Sequence, residues 1–160
     1  LIVSLRSFLG WDIFTKAALV GTGKIGSSLM AYKDLINYGV NIEIAFDSDA
    51  RKTGIKKFGI PVYPITQFNH YISNQNIEMG IITVPESRSQ EVADLMVNSN
   101  INVIWNFSMN SLEVPSKVFV LQHDMSPDLA ILLNKVKNNR QTDGSLNKKQ
   151  DKGYEIKTNN

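Results

Sequence analysis

Short apolar-rich runs alternate with amphipathic and polar stretches along the first 125 residues of the chain. The runs lie at 17–20, 41–46, 79–84, 101–107 and 118–122. The unbroken run at 79–84 is typical of a parallel strand that is covered on both faces. Helical patterns follow two of the runs, at 27–33 and at 87–97. This alternation predicts an α/β fold, with a doubly wound parallel sheet and helices on both of its faces.

The stretches around the sheet divide the chain into four predicted regions. Residues 1–14 have apolar positions at helical spacing and are predicted to form a short linker helix, followed by one domain at 15–125. A serine and then a proline favour the start of a C-terminal helix at 126–138. Few large apolar residues follow, so 139–160 is predicted to be disordered.

Two neighbouring stretches inside the domain carry residues that interrupt regular structure. The segment 51–59 is polar and contains two glycines, so we expect a loop. The segment 60–65 contains Pro61 and Pro64. Because proline cannot donate a hydrogen bond to a neighbouring strand, we expect a short extended piece here rather than a central strand.

A glycine-rich turn joins the first predicted strand to the first predicted helix. Its residues, in the order G-x-G-x-x-G, are Gly21, Thr22, Gly23, Lys24, Ile25 and Gly26. In such turns the first glycine permits a tight bend, the second lets a pyrophosphate approach the backbone, and the third lets the helix pack on its strand. The helix N-terminus offers free N–H groups to phosphates. The six residues are therefore candidates for cofactor binding in a Rossmann-like fold.

An acidic residue follows the second predicted strand at the spacing that this fold requires. Asp47 lies twenty-one positions after Gly26, and an acid about 20 residues on accepts hydrogen bonds from the adenosine ribose. Asp47, with Ser48 beside it, therefore favours NAD over NADP. Arg51 and Lys52 would suit the 2′-phosphate of NADP. However, the nearby carboxylates of Asp47 and Asp49 would repel this phosphate.

Later strand ends add candidates for the other half of a dinucleotide. Ligands of open α/β sheets bind beyond the carboxyl ends of the strands. Thr83, Val84 and Pro85 follow one strand and Asn106 lies at the end of another, so we expect them along the ribose and nicotinamide. No set of residues suited to catalysis and no substrate domain accompany them, which predicts a cofactor binder that is not an enzyme.

Composition narrows the possible classes of function. The chain has no cysteine, which excludes disulfides and thiolate metal sites, and no metal site is predicted. The formal net charge is +2, but acidic residues outnumber basic ones before residue 134, so the domain is unsuited to binding nucleic acid. No apolar run approaches the roughly 18 residues of a membrane span. We therefore expect a cytoplasmic protein that does not bind a membrane.

Further segments make the match to one known family more specific than the glycines alone. They lie at 9–12, 18–26, 45–49, 59–63, 82–85, 90–94, 105–107, 114–115 and 128–130. With these segments the chain resembles the redox-sensing transcriptional repressor Rex, in its C-terminal cofactor domain, from about residue 5 to residue 136.

The resemblance implies a homodimer that binds NADH or NAD⁺ and reports their ratio. In that family the C-terminal helix crosses to the other subunit, which would make 126–138 the dimerisation segment and bring Asp128 near the nicotinamide of the other chain. Family members bind operator DNA through an N-terminal winged helix and release it when NADH binds. The residues of such a domain would precede Leu1 and are not in this chain.

The chain departs from the family pattern at three places. Lys24 and Ile25 stand where Asn and Leu are usual, Glu86 replaces a small residue, and 108–110 replaces a turn that contains proline. Glu86 would favour the cationic ring of NAD⁺ over NADH. Two alternatives remain open. The glycine turn accepts any diphosphate and so also fits a CoA- or nucleotide-binding domain of an enzyme. The departures leave room for a diverged Rex-like interaction module that does not bind DNA.

Overall fold

The computed structural model describes residues 14–123 and 131–135. The predicted linker helix up to residue 13, Asp128 and the predicted disordered tail at 139–160 lie outside the described residues. Within the predicted C-terminal helix, residues 131–135 are described, and they are helical. The chain divides into two units, the first ending at His123 and the second beginning at Asp124.

A seven-stranded sheet forms the centre of the first unit. Its strands are β1 (Thr15–Val20), β2 (Val40–Asp47), β3 (Ile55–Lys57), β4 (Ile60–Pro64), β5 (Met79–Ile82), β6 (Val103–Asn106) and β7 (Phe119–Gln122). Their order is β3-β4-β2-β1-β5-β6-β7, and every pairing is parallel except that of β3 with β4. Because β1 pairs with both β2 and β5, the chain winds first to one side of β1 and then to the other. The predicted parallel sheet is confirmed.

Helices cover the two faces of this sheet, as the sequence predicts. They are α1 (Lys24–Ala31), α2 (Phe68–Ile72) and α3 (Glu86–Asn98). Alternate residues of each strand face opposite sides. On one side Val20 and Phe46 pack with residues of α2 and α3, whereas on the other Leu19 and Ala45 pack with Met30 of α1. No helix in the described ranges is long and apolar enough to cross a membrane.

Two predictions for the segment between β2 and α2 are wrong. The stretch 51–59 is not a loop throughout, because it contains the antiparallel edge strand β3. Strand β4 contains Pro61 and Pro64 and nevertheless lies between β3 and β2. The sheet accommodates both prolines because β2 pairs only with Val62 to Pro64, so Pro61 has no partner on that side and Pro64 is the last residue of its strand.

Within residues 14–123, no helix covers one side of strands β6 and β7, because the connection between these strands contains none. Phe119 lies opposite Val103, and Leu121 lies opposite Trp105. Phe107 follows just after β6, with its ring centroid 4.6 Å from that of Trp105. Val103, Phe119 and Leu121 are 40%, 63% and 53% exposed. These five residues form an apolar surface, which we call the β6–β7 face.

Candidate functional site

The turn between β1 and α1 requires glycine at its first and third positions for reasons internal to the fold. Gly21 has φ +101°, a conformation that favours glycine, and a Cβ there would lie 2.8 Å from the carbonyl oxygen of Thr83. A Cβ at Gly26 would overlap the carbonyl oxygen of Gly21. The two glycines therefore let α1 begin close against the ends of β1 and β5.

Gly23 lies between these two glycines and has a different environment. Its backbone is extended, with φ −67° and ψ −158°, and a Cβ there would meet no protein atom within 4 Å. Gly23 is the N-cap of α1, and the first N–H groups of a helix have no partner within the helix. Packing does not explain glycine at this position. The open space lies where a diphosphate would approach the helix N-terminus.

Thr83 follows β5 and holds the glycine turn in place. Its hydroxyl lies 2.6 Å from the carbonyl oxygen of Gly21 and 3.0 Å from that of Val20. Its backbone N–H also donates a 2.9 Å hydrogen bond to Val20. The hydroxyl proton is therefore already engaged, and Thr83 acts as a positioning residue for the turn.

The carboxylate of Asp47 is bound to the same turn. Its Oδ2 accepts two hydrogen bonds from Thr22, from the backbone N–H at 2.8 Å and from the hydroxyl at 2.6 Å. Its Oδ1 accepts a hydrogen bond from the N–H of Asp49 at 2.9 Å. Each carboxylate oxygen accepts about two hydrogen bonds, so Oδ1 retains room for one further donor, such as a ribose hydroxyl.

Burial raises the pKa of the Asp47 carboxyl, but contacts with the anion outweigh this effect. The Thr22 hydroxyl and the N–H groups of Asp49 and Thr22 stabilise the charge, and the Lys52 ammonium lies 3.7 Å from Oδ2. The pKa of Asp47 is therefore below its ordinary value. Asp47 is therefore a carboxylate at neutral pH, and both of its oxygens act only as hydrogen-bond acceptors.

An open groove of about 530 Å³ joins the glycine turn to Asp47. One wall comes from the ends of β1 and β2 and from the loop after β2, and the other comes from the loop after β5 and from α3. The predicted residues that line it are Gly21, Gly23, Asp47, Ser48, Thr83, Val84 and Pro85. A volume of this size is typical of a small-molecule or cofactor site.

The α3 wall of the groove is a part that the sequence pattern did not identify. Arg88, Glu91, Leu95 and Asn98 line the groove, and their spacing of three or four residues puts them on one face of α3. Arg88 and Glu91 form an exposed ion pair at 2.9 Å. The sequence predicts a helical pattern at 87–97, but that pattern does not indicate which face of the helix borders a ligand site.

Other predicted binding residues lie outside the groove. Thr22 is 2% exposed, and its two donors are used by Asp47. Lys24 and Ile25 are exposed and border a separate, shallow surface on α1. Asp128 lies outside the described residues. The structure therefore brings together about half of the predicted set in one cavity.

Asn106 is fully buried, and its side chain bonds to other protein groups. Its amide NH₂ donates to Oε1 of Gln122 at 2.7 Å and to the carbonyl oxygen of Asn110 at 3.1 Å. Its Oδ1 accepts hydrogen bonds from the N–H of Ser108 at 3.0 Å and from the Ser108 hydroxyl at 2.7 Å. Asn106 therefore fixes the loop 108–110 and is not one of the groove-lining residues.

These features define the class of the protein as a Rossmann-type nucleotide-binding domain. Within 14–123 and 131–135, no group of three or more His, Asp or Glu side chains is arranged to hold a metal ion. A family model described as CoA binding domain matches residues 12–110. This match covers more than half of the chain, including the glycine turn, Asp47 and the groove.

Curated relatives identify the type of domain more narrowly. The redox-sensing transcriptional repressor Rex of Treponema denticola is 36% identical over 132 residues, which are 82% of this chain and 63% of that protein. Rex of Limosilactobacillus fermentum is also 36% identical, over 137 residues that are 86% of this chain and 63% of that protein. The chain thus spans less than two thirds of the length of these relatives.

Solved structures agree with the curated relatives. RSP, a Rex-family repressor, matches with a TM-score of 0.81 and 25% identity, over 89% of this chain and 68% of that chain. RSP in complex with β-NAD⁺ and operator DNA matches with a TM-score of 0.76 and 26% identity, over 96% and 68%. The chain belongs to the CoA-binding domain family and, within it, to the Rex family. The relatives described above are named as repressors, in agreement with the prediction that the chain is not an enzyme.

Proposed function

We propose that this chain is the NAD(H)-sensing domain of a Rex-type transcriptional repressor. The groove carries the proposal, because it combines open space at Gly23, next to the N-terminus of α1, with the ionised carboxylate of Asp47. Structures of RSP with β-NADH and with β-NAD⁺ support this choice of ligand. The domain binds the cofactor without turning it over, and the cytoplasmic location that we expect belongs to the same proposal.

The adenosine diphosphate half of the cofactor would occupy the groove from Gly23 to Asp47. The pyrophosphate would lie over the N-terminus of α1, where N–H groups and the helix dipole stabilise negative charge. The free position on Oδ1 of Asp47 would accept one ribose hydroxyl. The adenine ring would lie against two apolar side chains that line the groove, those of Ile65 and Leu95.

Of the residues predicted to contact the nicotinamide half, only some line the groove. Thr83, Val84 and Pro85 line the groove and remain candidates for contacts along the nicotinamide ribose. Because the amide of Asn106 is already bonded, we propose that it acts at this end by fixing the loop 108–110. The predicted contact of Asp128 with the nicotinamide of the other subunit is part of the same proposal.

We extend the proposal to a homodimer. The β6–β7 face is apolar and partly exposed, and patches of this kind are typical of interaction sites. Ile131, Leu132 and Leu133 are also exposed, at 64%, 62% and 59%, within the segment 126–138 that the resemblance assigns to dimerisation. Contact with a second copy of the chain would cover both sets of residues.

Cofactor binding would control the dimer geometry and thereby the release of operator DNA. The DNA would be bound by a domain that is not part of this chain, in keeping with the share of the Rex relatives that the chain spans. The structure of RSP with β-NAD⁺ and operator DNA supports a coupling of this type. The domain itself has no excess of basic residues to bind DNA.

Calorimetric titration with NADH and with NAD⁺ tests the proposal. We expect both to bind the wild-type chain at sub-millimolar concentration. Gly23→Ala, which fills the open space, should weaken binding at least about tenfold, as expected for loss of a charge-assisted contact. Ser28→Ala is the matched control, because Ser28 lies on α1 outside the groove and is exposed. Failure of the wild-type chain to bind either cofactor would overturn the proposal.

A second candidate is the coenzyme A- or nucleotide-binding domain of an enzyme. The description of the matching family model favours it, because a glycine turn accepts the diphosphate of coenzyme A as well as that of NAD. Titration with coenzyme A in parallel distinguishes the two. Tighter binding of coenzyme A than of NADH or NAD⁺ would favour this candidate, and binding of none of the three would favour the diverged interaction module.

A further inference from the structure

The loop after β2 places two acids and two cations at the ribose end of the groove. Asp47, Ser48, Asp49 and Lys52 line the groove, whereas Arg51 is not among its lining residues. The Lys52 ammonium lies 3.7 Å from Oδ2 of Asp47. Lys52 therefore lies at the groove and Arg51 does not, although the two residues are adjacent in sequence.

Asp49 holds Arg51 through three hydrogen bonds. Its Oδ1 accepts from the backbone N–H of Arg51 at 3.0 Å and from Nε at 2.9 Å, and its Oδ2 accepts from a terminal guanidinium nitrogen at 2.8 Å. These bonds lower the pKa of Asp49 to about 2, so its carboxylate is charged throughout the neutral range. This paired fork occupies one of the two edges by which a guanidinium binds a phosphate, and it fixes the direction in which the side chain points.

We propose that Asp49 makes the site select NAD(H) over NADP(H), because it holds the Arg51 guanidinium away from the groove. A 2′-phosphate entering the groove would meet the carboxylates of Asp47 and Asp49. The ammonium of Lys52 is the nearby cation, and it already lies beside Asp47. This inference rests on the proposed binding of NAD(H).

Asp49→Asn tests the inference while preserving the turn, since the amide oxygen of Asn can still accept the hydrogen bond from the N–H of Arg51. The affinities for NADH and NADPH are measured in parallel by calorimetry. We expect the variant to bind NADPH about fivefold better relative to NADH, in keeping with the release of one surface ion pair. Arg51→Ala in the wild-type background should give no gain in NADPH affinity, because the carboxylate of Asp49 then stays in the groove without its paired cation.

The double variant Asp49→Asn/Arg51→Ala separates release of the guanidinium from simple loss of negative charge. We expect it to lose the gain in NADPH affinity. An unchanged NADPH to NADH ratio in Asp49→Asn, or a gain that persists in the double variant, would overturn the inference and leave NAD(H) binding intact. Absence of NADH binding by the wild-type chain would overturn the proposed function and this inference together.

Discussion

Thr22 donates two hydrogen bonds to one oxygen of Asp47, from its backbone N–H at 2.8 Å and from its hydroxyl at 2.6 Å. Thr22 lies inside the glycine turn, whereas Asp47 ends β2, and both residues are buried. The pair therefore connects the part of the groove suited to a diphosphate with the part suited to a ribose. Asp47 thus has a structural role besides its predicted role in binding.

Thr22→Val tests how much the side-chain bond of this pair stabilises the fold. Valine keeps the shape of threonine but has no hydroxyl, so a buried hydrogen bond to a charged group is lost. We expect the free energy of unfolding to fall by about 1.5 to 3 kcal/mol, measured by urea denaturation. Thr22→Ser keeps the hydroxyl and should lose less. Equal losses in the two variants would show that the hydroxyl contributes nothing.

The same carboxylate makes the free energy of unfolding depend on pH. The pKa of Asp47 is lower in the folded state than its ordinary value of 3.8, so the unfolded chain binds this proton more readily. The stability that Asp47 contributes is therefore present above pH 3.8 and is lost as the pH falls through the lower folded-state pKa. Urea denaturation from neutral pH into this acid range should show the difference between wild type and Thr22→Val shrinking. A difference independent of pH would contradict the assignment to Asp47.

The sheet and one half of the site could be predicted because their signals are local. The run at 79–84 becomes β5, and the glycine turn leads from β1 into α1. Asp47 is the last residue of β2, and its spacing from Gly26 is the usual one because the crossover from β1 to β2 has the usual length. In a parallel sheet these neighbouring strand ends lie together, so Gly21, Gly23 and Asp47 share one groove.

The remaining parts of the site depend on contacts that local sequence does not specify. The three residues of β3 form a strand only because β4 is present to pair with them. Asn106 appeared suited to a ligand, but its partners Ser108 and Gln122 come from a loop and from the next strand. Whether a polar residue at a strand end contacts a ligand or a loop is decided by the packing around it, which spacing alone does not reveal.

Alanine should lower the free energy of unfolding much more at Gly26 than at Gly23. Gly26→Ala would force a Cβ onto the carbonyl oxygen of Gly21, so we expect a loss of about 3 kcal/mol in the free energy of unfolding. Gly23→Ala meets no protein atom and should cost less than about 1 kcal/mol, the usual effect of alanine at an N-cap. Urea denaturation measures both values.

The contrast between the two glycines separates folding from binding. Gly23→Ala should unfold almost as the wild-type chain does and yet bind NADH poorly, because its methyl group occupies the space proposed for the diphosphate. If Gly23→Ala were as unstable as Gly26→Ala, the open space at Gly23 would not be available in solution. Weak NADH binding by this variant would then reflect its loss of stability and would not test the cofactor site.

The β6–β7 face gives a prediction about the oligomeric state. Leu121→Lys places a charge on a face that the proposed dimer buries, and burying an unpaired charge is costly. We therefore expect the wild-type chain to sediment as a dimer and the variant to sediment as a monomer in sedimentation velocity. Ile55→Lys is the matched control, since Ile55 is 52% exposed, close to the 53% of Leu121, but lies in β3 at the opposite edge of the sheet. Dimers of equal stability in both variants would show that the β6–β7 face is not the dimer contact.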